Sequence, residues 1–322
     1  MTTPAATLTV TLNPAIDETI FLDRLIPGTV HRATGFHRQA AGTGVNVAAM
    51  LARAGHPVTV TGLLGQDNAR HFESFFRILG IRDRFVRLPG ETRRGIKLID
   101  RTSTETTDVN LPGLTPHSAN LDELEAVVRS VAEVGSWVVV SGSLPPGVEP
   151  RYIGRLVELI RAAGANVAVD TSGDALRVAV DAGVDLIKPN VAELSELVGS
   201  ELDGFAGALE AASELHRNGI AHVVVSLGHE GALFFAPEMG VMAGAPPVSV
   251  VSTVGAGDAL LAGYLSGLLE GKPIAERARR ASVFAWCALE SLERELVPPE
   301  ELENRAAHIS VQPLPAEAKE GS

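Results

Sequence analysis

Two rhythms of apolar residues alternate along the chain. Short continuous runs rich in Val, Ile, Leu and Thr predict buried strands at Leu8 to Leu12, Pro57 to Leu63, Trp137 to Val140, Asn166 to Val169, Leu186-Ile187 and His222 to Leu227. Longer stretches with apolar positions three and four apart predict helices over Val45 to Ala54, Ala69 to Leu79, Arg151 to Ala163 and Phe205 to Asn218. Such alternation means an α/β fold: a mostly parallel sheet covered by helices on both faces. Two segments break the rhythm, at about 19–38 and 84–111, where polar and apolar residues alternate as in half-exposed strands. In the first, Thr19 to Leu22 and Thr29 to Arg32 read as a strand pair around Pro27-Gly28; in the second, Gly95 to Asp100 is the clearest strand. Together they predict a small separate sheet inserted into one domain of 322 residues. The polar, proline-containing tail over 311–322 is expected to be loose.

One stretch stands out. The strand-like run Pro247 to Val251 leads into Ser252-Thr253-Val254-Gly255-Ala256-Gly257-Asp258, and Ala259 to Leu265 then follows, apolar nearly all round as in a buried helix. A helix start with two glycines leaves backbone N–H groups bare, and with the positive end of the helix dipole it suits a phosphate. Asp258, at the same start, either caps the helix or acts as a general base beside a bound phosphate. In parallel sheets ligands bind beyond the carboxyl ends of the strands, and the other polar and glycine-rich stretches fall at those ends.

Composition narrows the class. A net charge of −12 argues against nucleic acid or an anionic membrane as partner, while leaving room for a local basic pocket. The single cysteine, Cys287, excludes an internal disulfide, and its apolar neighbours mark a core thiol. No apolar run is long enough to span a membrane and Met1 to Ala6 lacks a leader pattern, so a cytoplasmic enzyme is expected. The P-loop pattern is absent, and Gly42-Thr43-Gly44 and Gly255-Ala256-Gly257 both lack the third glycine of a dinucleotide site. What remains suits phosphoryl transfer, where a protein mainly positions groups and neutralises charge. The nine histidines, His229 in its glycine-rich turn included, read as surface or packing residues.

Seven motifs in order carry a resemblance over essentially the whole chain: Thr11 to Asp17 (TLNPAID), Gly42 to Ala48 (GTGVNVA), Thr92-Arg93, Ser141 to Gly147 (SGSLPPG), Lys188-Pro189-Asn190 with Glu193, Val225 to Gly228 with Gly231, and Ser252 to Asp258. The chain resembles the PfkB branch of the ribokinase-like carbohydrate kinases, most of all its 1-phosphofructokinase and tagatose-6-phosphate kinase group. The resemblance implies a ribokinase-like sheet with a small β lid, a homodimer formed through that lid, and the use of ATP and Mg²⁺. It makes Asp258 the catalytic base and Gly255, Ala256 and Gly257 the anion hole for the transferring group. Asp17, Gly42, Asn46, Arg93, Lys97 and Ser143 become sugar-phosphate contacts, with Arg93 on the phosphate the sugar already carries. Lys188, Asn190, Ser226, Gly228, Gly231 and Thr253 become nucleotide contacts, and Asn190 with Glu193 orients Mg²⁺. Read from spacing alone, Asn190 and Glu193 are equally an N-cap and its capping-box acid.

Two positions depart from the pattern: Thr43 and Gly95 stand where many 1-phosphofructokinases have Lys and Asn. Arg94 or His31 is available to replace the missing cation. The implied reaction is phosphorylation of a phosphorylated ketohexose, fructose 1-phosphate first, with fructose 6-phosphate or tagatose 6-phosphate as the alternative and a non-catalytic sugar-phosphate sensor as the remote one.

Overall fold

A computed structural model describes residues 6–315 except 104, 246–247 and 294. The chain opens with strand β1 (Thr7–Thr11), crosses out as β2 (Ala15–Leu22) and β3 (Gly35–Ala41), and returns through helix α1 (Thr43–Arg53) to β4 (Val58–Gly65). Helix α2 (Arg70–Leu79) leads to the short strands β5 (Arg82–Asp83) and β6 (Val86–Leu88), and the chain crosses out again as β7 (Arg94–Asp100) and β8 (Thr106–Asn110). Then α3 (Ser118–Val131), β9 (Trp137–Ser141), α4 (Arg151–Ala162), β10 (Asn166–Asp170), α5 (Gly173–Asp181), β11 (Leu186–Ile187), α6 (Val191–Val198), α7 (Gly204–Arg217) and β12 (His222–Ser226) follow. A hairpin of β13 (Ala232–Ala236) and β14 (Met239–Ala243), helices α8 (Ala256–Leu269), α9 (Ile274–Glu290) and α10 (Pro299–Ala307), and β15 (Val311–Pro313) complete it.

The main sheet runs β15-β14-β13-β12-β11-β10-β9-β1-β4-β5, with β6 also on β4. It is parallel from β12 to β5 and antiparallel from β12 to β15. Side chains of successive strand residues enter opposite cores: Val139 packs with α1, α2, α8 and α9, Val138 and Val140 with α3 to α7. The all-round apolar pattern of α8 is met by burial of every residue from Ala259 to Gly267. Gly263 makes this possible, since a Cβ there would lie 2.7 Å from Ala281 Cα on α9.

The second sheet is β3-β2-β7-β8, a lid whose β2 and β7 are parallel although far apart in sequence. Its register divides it into two faces. Asp17 pairs with Gly95 and Gln39, and Gly95 with Asn110, so these share one polar face; Ile20, Phe36, Ile96, Leu98 and Val109 share the other.

Four expectations are corrected. Thr29 to Arg32 is not a strand: Val30 is 91% exposed, the His31 ring closes a turn against Ile26, and β2 pairs instead with Gly35–Ala41. Val86–Leu88 joins β4 of the main sheet rather than the lid, because its apolar residues reach the core under α3. Residues 248–251 are not strand; Val250 and Val251 are half-exposed, and Val251 N donates to Leu289 O of α9. Pro247 lies outside the described residues. The expected loose tail begins as an edge strand, Val311–Pro313 on β14, while residues 316–322 lie outside the description.

Candidate active site

Helix α8 begins at Gly255, whose φ of +81° is a left-handed turn that glycine adopts without strain. No side-chain hydrogen bond caps this end, so the positive end of the dipole faces out of the helix, although the Ala256 amide donates to Thr253 O at 3.4 Å. Asp258 stands in that turn, and its Oδ2 accepts from Asn46 Nδ2 at 2.6 Å. Asn46 is buried on α1, which starts at Gly42, so two helix starts converge on one carboxylate.

Lys188 lies against the same turn: a Cβ on Gly257 would sit 3.2 Å from its Nζ. The lysine is 6% exposed and pairs with Asp170, 8% exposed, at 3.1 Å. The register explains the pairing. Ala168 and Val169 face Leu186 and Ile187 in parallel, so the next step brings Asp170 opposite Lys188 at the carboxyl ends of both strands. Burial alone would pull the Lys188 ammonium down, but Asp170, Asp258 and Glu193 outweigh it and hold it above its ordinary value. Burial pushes the Asp170 carboxyl up to about 6, Lys188 opposes this, and Asp258 and Glu193 add to it. Asp170 was not singled out from the sequence. Its signal was the strand-ending position beside Lys188, visible only once the strand order is known.

On the lid side, Asp17 is buried on β2 and faces Gly95, where a Cβ would lie 2.7 Å from Asp17 Oδ1. Lys97 Nζ lies 3.2 Å from Asp108 and 3.8 Å from Asp17, so that cation is held by two carboxylates. Arg93 is aimed by its neighbour. The turn after β4 clamps Thr92, whose N–H donates to Asn68 Oδ1 at 2.8 Å while Asn68 Nδ2 donates to the Thr92 carbonyl at 2.9 Å. The Arg93 guanidinium then donates to Asn13 O through Nε and Nη2, both 3.3 Å, and to Asn110 Oδ1 through Nη1 at 3.4 Å. Burial pulls this guanidinium below its ordinary value, and Asp17 acts the other way. Asn13 Nδ2 in turn donates to Ser143 Oγ at 3.0 Å. Asn13, Arg93, Asn110 and Ser143 line one cavity of about 580 Å³. Neither replacement cation joins them: Arg94 lies on the opposite lid face with Glu18 and Glu91, and His31 stays in its loop.

At the α8 turn a cavity of about 550 Å³ is lined by Asn190, Ser226, Gly228, Gly231, Thr253, Ala256 and Gly257. The predicted nucleotide residues are thus brought together, with Asn190 bridged to Ser226 and Lys188 reaching in behind Gly257. Gly231 also closes the β12–β13 turn, where a Cβ would strike Ala243 O. His229, read as a surface or packing residue, lines this cavity too, as do Trp286 and Leu289 of α9. In the sequence these two are only apolar neighbours of Cys287, and nothing local distinguishes an aromatic that faces a cavity from one that faces a strand. Asn190 Oδ1 accepts from Glu193 N and Glu193 Oε2 from Asn190 N, both at 2.9 Å, which is a capping box. No three His, Cys, Asp or Glu among the described residues converge enough to hold a metal ion by themselves.

A family model described as pfkB family carbohydrate kinase matches residues 10–297. The 1-phosphofructokinase of Rhodobacter capsulatus is 41% identical over 308 residues, 95% of this chain and 98% of that protein. The 1-phosphofructokinase of Escherichia coli K12 is 38% identical over 310 residues, again 95% and 98%. Among solved structures, phosphofructokinase-2 from Escherichia coli in complex with substrates and products superposes with a TM-score of 0.88 at 30% identity, over 94% of this chain and 99% of that one. Arabidopsis thaliana ribokinase with ribose and ATP shares the fold, with a TM-score of 0.72 at 22% identity. A covered sheet of this order with a small second sheet, matched over residues 10–297 by the family model and over 95% of the chain by a relative of 41% identity, is therefore that of a chain that belongs to the pfkB family of carbohydrate kinases.

Proposed function

We propose that this protein transfers the terminal phosphoryl group of ATP to the free primary hydroxyl of fructose 1-phosphate, giving fructose 1,6-bisphosphate and ADP. The observation that carries the reading is the position of Asp258: it adjoins Gly257, which lines the nucleotide cavity, and it is held by Asn46. Relatives of 36–42% identity that bear the name 1-phosphofructokinase support the choice of sugar.

In this reading Asp258 takes the proton of the acceptor hydroxyl as its oxygen bonds to phosphorus and ADP leaves. The α8 turn and Lys188 meet the negative charge of the transferring group. Arg93, with Ser143, holds the phosphate already on the sugar, a task that suits a forked cation. Asn190 and Glu193 offer hard oxygen donors, which fit a Mg²⁺ ion carried on nucleotide phosphates with waters between. Bound there, the ion supplies positive charge at the phosphates.

One observation favours a second sugar. Thr43 puts no charge at the start of α1, so Arg93 is the cation lining the cavity for the sugar's phosphate, and fructose 6-phosphate or tagatose 6-phosphate is the alternative. Purified protein with ATP and Mg²⁺ is offered fructose 1-phosphate, fructose 6-phosphate, tagatose 6-phosphate, fructose and ribose, and ADP release is scored. Fructose 1-phosphate should give the highest kcat/KM. Preference for another sugar phosphate overturns the choice of sugar; preference for an unphosphorylated sugar overturns the role of Arg93; tight binding without turnover supports a sensor.

The apolar lid face supports a homodimer. Phe36 and Val109 on it are 56% and 43% exposed, and a second copy would cover them. Phe36→Asp should therefore shift the mass measured by light scattering from dimer to monomer, and a monomeric unmodified protein would refute the reading. No described helix is long and apolar enough to cross a membrane, which fits a cytoplasmic enzyme.

A further inference from the structure

Asn110 ends β8, the last strand of the lid, and nothing in its local sequence sets it apart. The register places it on the polar lid face, directly across from Gly95, which lies directly across from Asp17. Gly95 has no side chain to separate them. The space its Cβ would take lies 2.7 Å from Asp17 Oδ1 and 3.5 Å from Asn110 Oδ1, so carboxylate and carboxamide converge over bare backbone. Asn110 also borders the cavity that Arg93 and Ser143 line. Its Oδ1 accepts from Arg93 Nη1 at 3.4 Å. A carboxamide whose oxygen is turned to the guanidinium presents its Nδ2 donor elsewhere, and that donor has no hydrogen-bond partner among the described residues.

We infer that Asn110 is a specificity-determining residue: its Nδ2 donates to the phosphorylated end of the sugar while its Oδ1 orients Arg93. The inference rests on the sugar-phosphate kinase reading above and adds a contact made by the edge strand of the second sheet. A phosphate bridging Arg93, at the base of the lid, and Asn110, at its far strand, ties β8 to the cavity wall. An unphosphorylated sugar makes neither contact, so discrimination for the phosphate draws on this pair. The arrangement also explains how Gly95 is tolerated beside Asp17, since the amide reaching that corner comes from the neighbouring strand.

The test compares the unmodified protein with Asn110→Ala and Asn110→Asp on whichever phosphorylated ketose it uses best, so that a wrong choice of sugar does not decide the result. Asn110→Ala should raise KM for the sugar phosphate about tenfold, as expected for one lost hydrogen bond to a charged group. KM for ATP and the rate with unphosphorylated fructose should stay within about twofold. Asn110→Asp should raise KM further, because it turns a carboxylate toward the phosphate. The selectivity for phosphorylated over unphosphorylated sugar therefore falls in the order unmodified, Ala, Asp. Asn110 is exposed, so both variants should melt close to the unmodified protein, and the melt is recorded to establish it. Unchanged selectivity in both variants overturns the inference. So does an equal loss for phosphorylated and unphosphorylated sugars, which would mean that Asn110 only supports the strand.

Discussion

Asp258→Asn will lower kcat by about 10²–10⁴-fold while changing KM for sugar and nucleotide little. The substitution is nearly isosteric, and the new side chain keeps an oxygen with which to accept from Asn46 Nδ2, the 2.6 Å bond that anchors the present carboxylate. What it loses is the capacity to take a proton. Asp258 lines neither the cavity of Arg93 and Ser143 nor that of Asn190 and Ser226, so both keep their linings, binding should persist and the loss should appear in the chemical step. Initial rates of ADP release over a range of both substrates, with a thermal melt beside them, make the measurement. A variant within a few-fold of the unmodified rate would remove Asp258 from the mechanism. A large rise in KM with unchanged kcat would make it a binding residue only.

The parts of this site that were legible in the sequence are those fixed by a local rule. The α8 turn shows as two glycines before an apolar helix, and the structure adds its left-handed start and uncapped end. The covered parallel sheet shows as continuous apolar runs, and the two cores that cover it are those runs read on alternate residues. What was hidden depends on strand order. Asp170 reads as an ordinary strand end until β10 and β11 are known to be neighbours, when it becomes the partner of Lys188. Asn110 reads as one more polar position at the end of an alternating segment until β8 is laid beside β7 and β7 beside β2. The misplaced strand at Thr29 to Arg32 failed for a related reason: alternation names a strand, but only a partner makes one, and Phe36 and its neighbours supplied the better match to β2. Trp286 shows the limit on helices, where one apolar stripe serves a core at one turn and lines a cavity at the next.

The buried pair allows catalysis and stability to be separated. Lys188→Gln removes the cation that lies behind Gly257, and the loss of one preorganised charge at the transferring group should cost about 10²–10³-fold in kcat. It also strands Asp170, 8% exposed, without its partner, and breaking a buried pair in this way typically costs about 3–5 kcal/mol of stability. The pH dependence follows from the sign of the shift. Burial already holds the Asp170 carboxyl up at about 6, above its ordinary 3.8, so the folded state binds more protons than the unfolded one across that window. This contribution to stability therefore falls as pH rises through it. Without Lys188 the carboxyl moves higher still, and the decline in the variant should extend to higher pH than in the unmodified protein. Adding Asp170→Asn to Lys188→Gln removes the stranded charge: the double variant should recover most of the melting temperature and lose the pH-dependent decline, yet stay as slow as the single variant. Recovery of activity together with stability would mean that Lys188 serves only to neutralise Asp170 and takes no part in stabilising the transferring phosphoryl group.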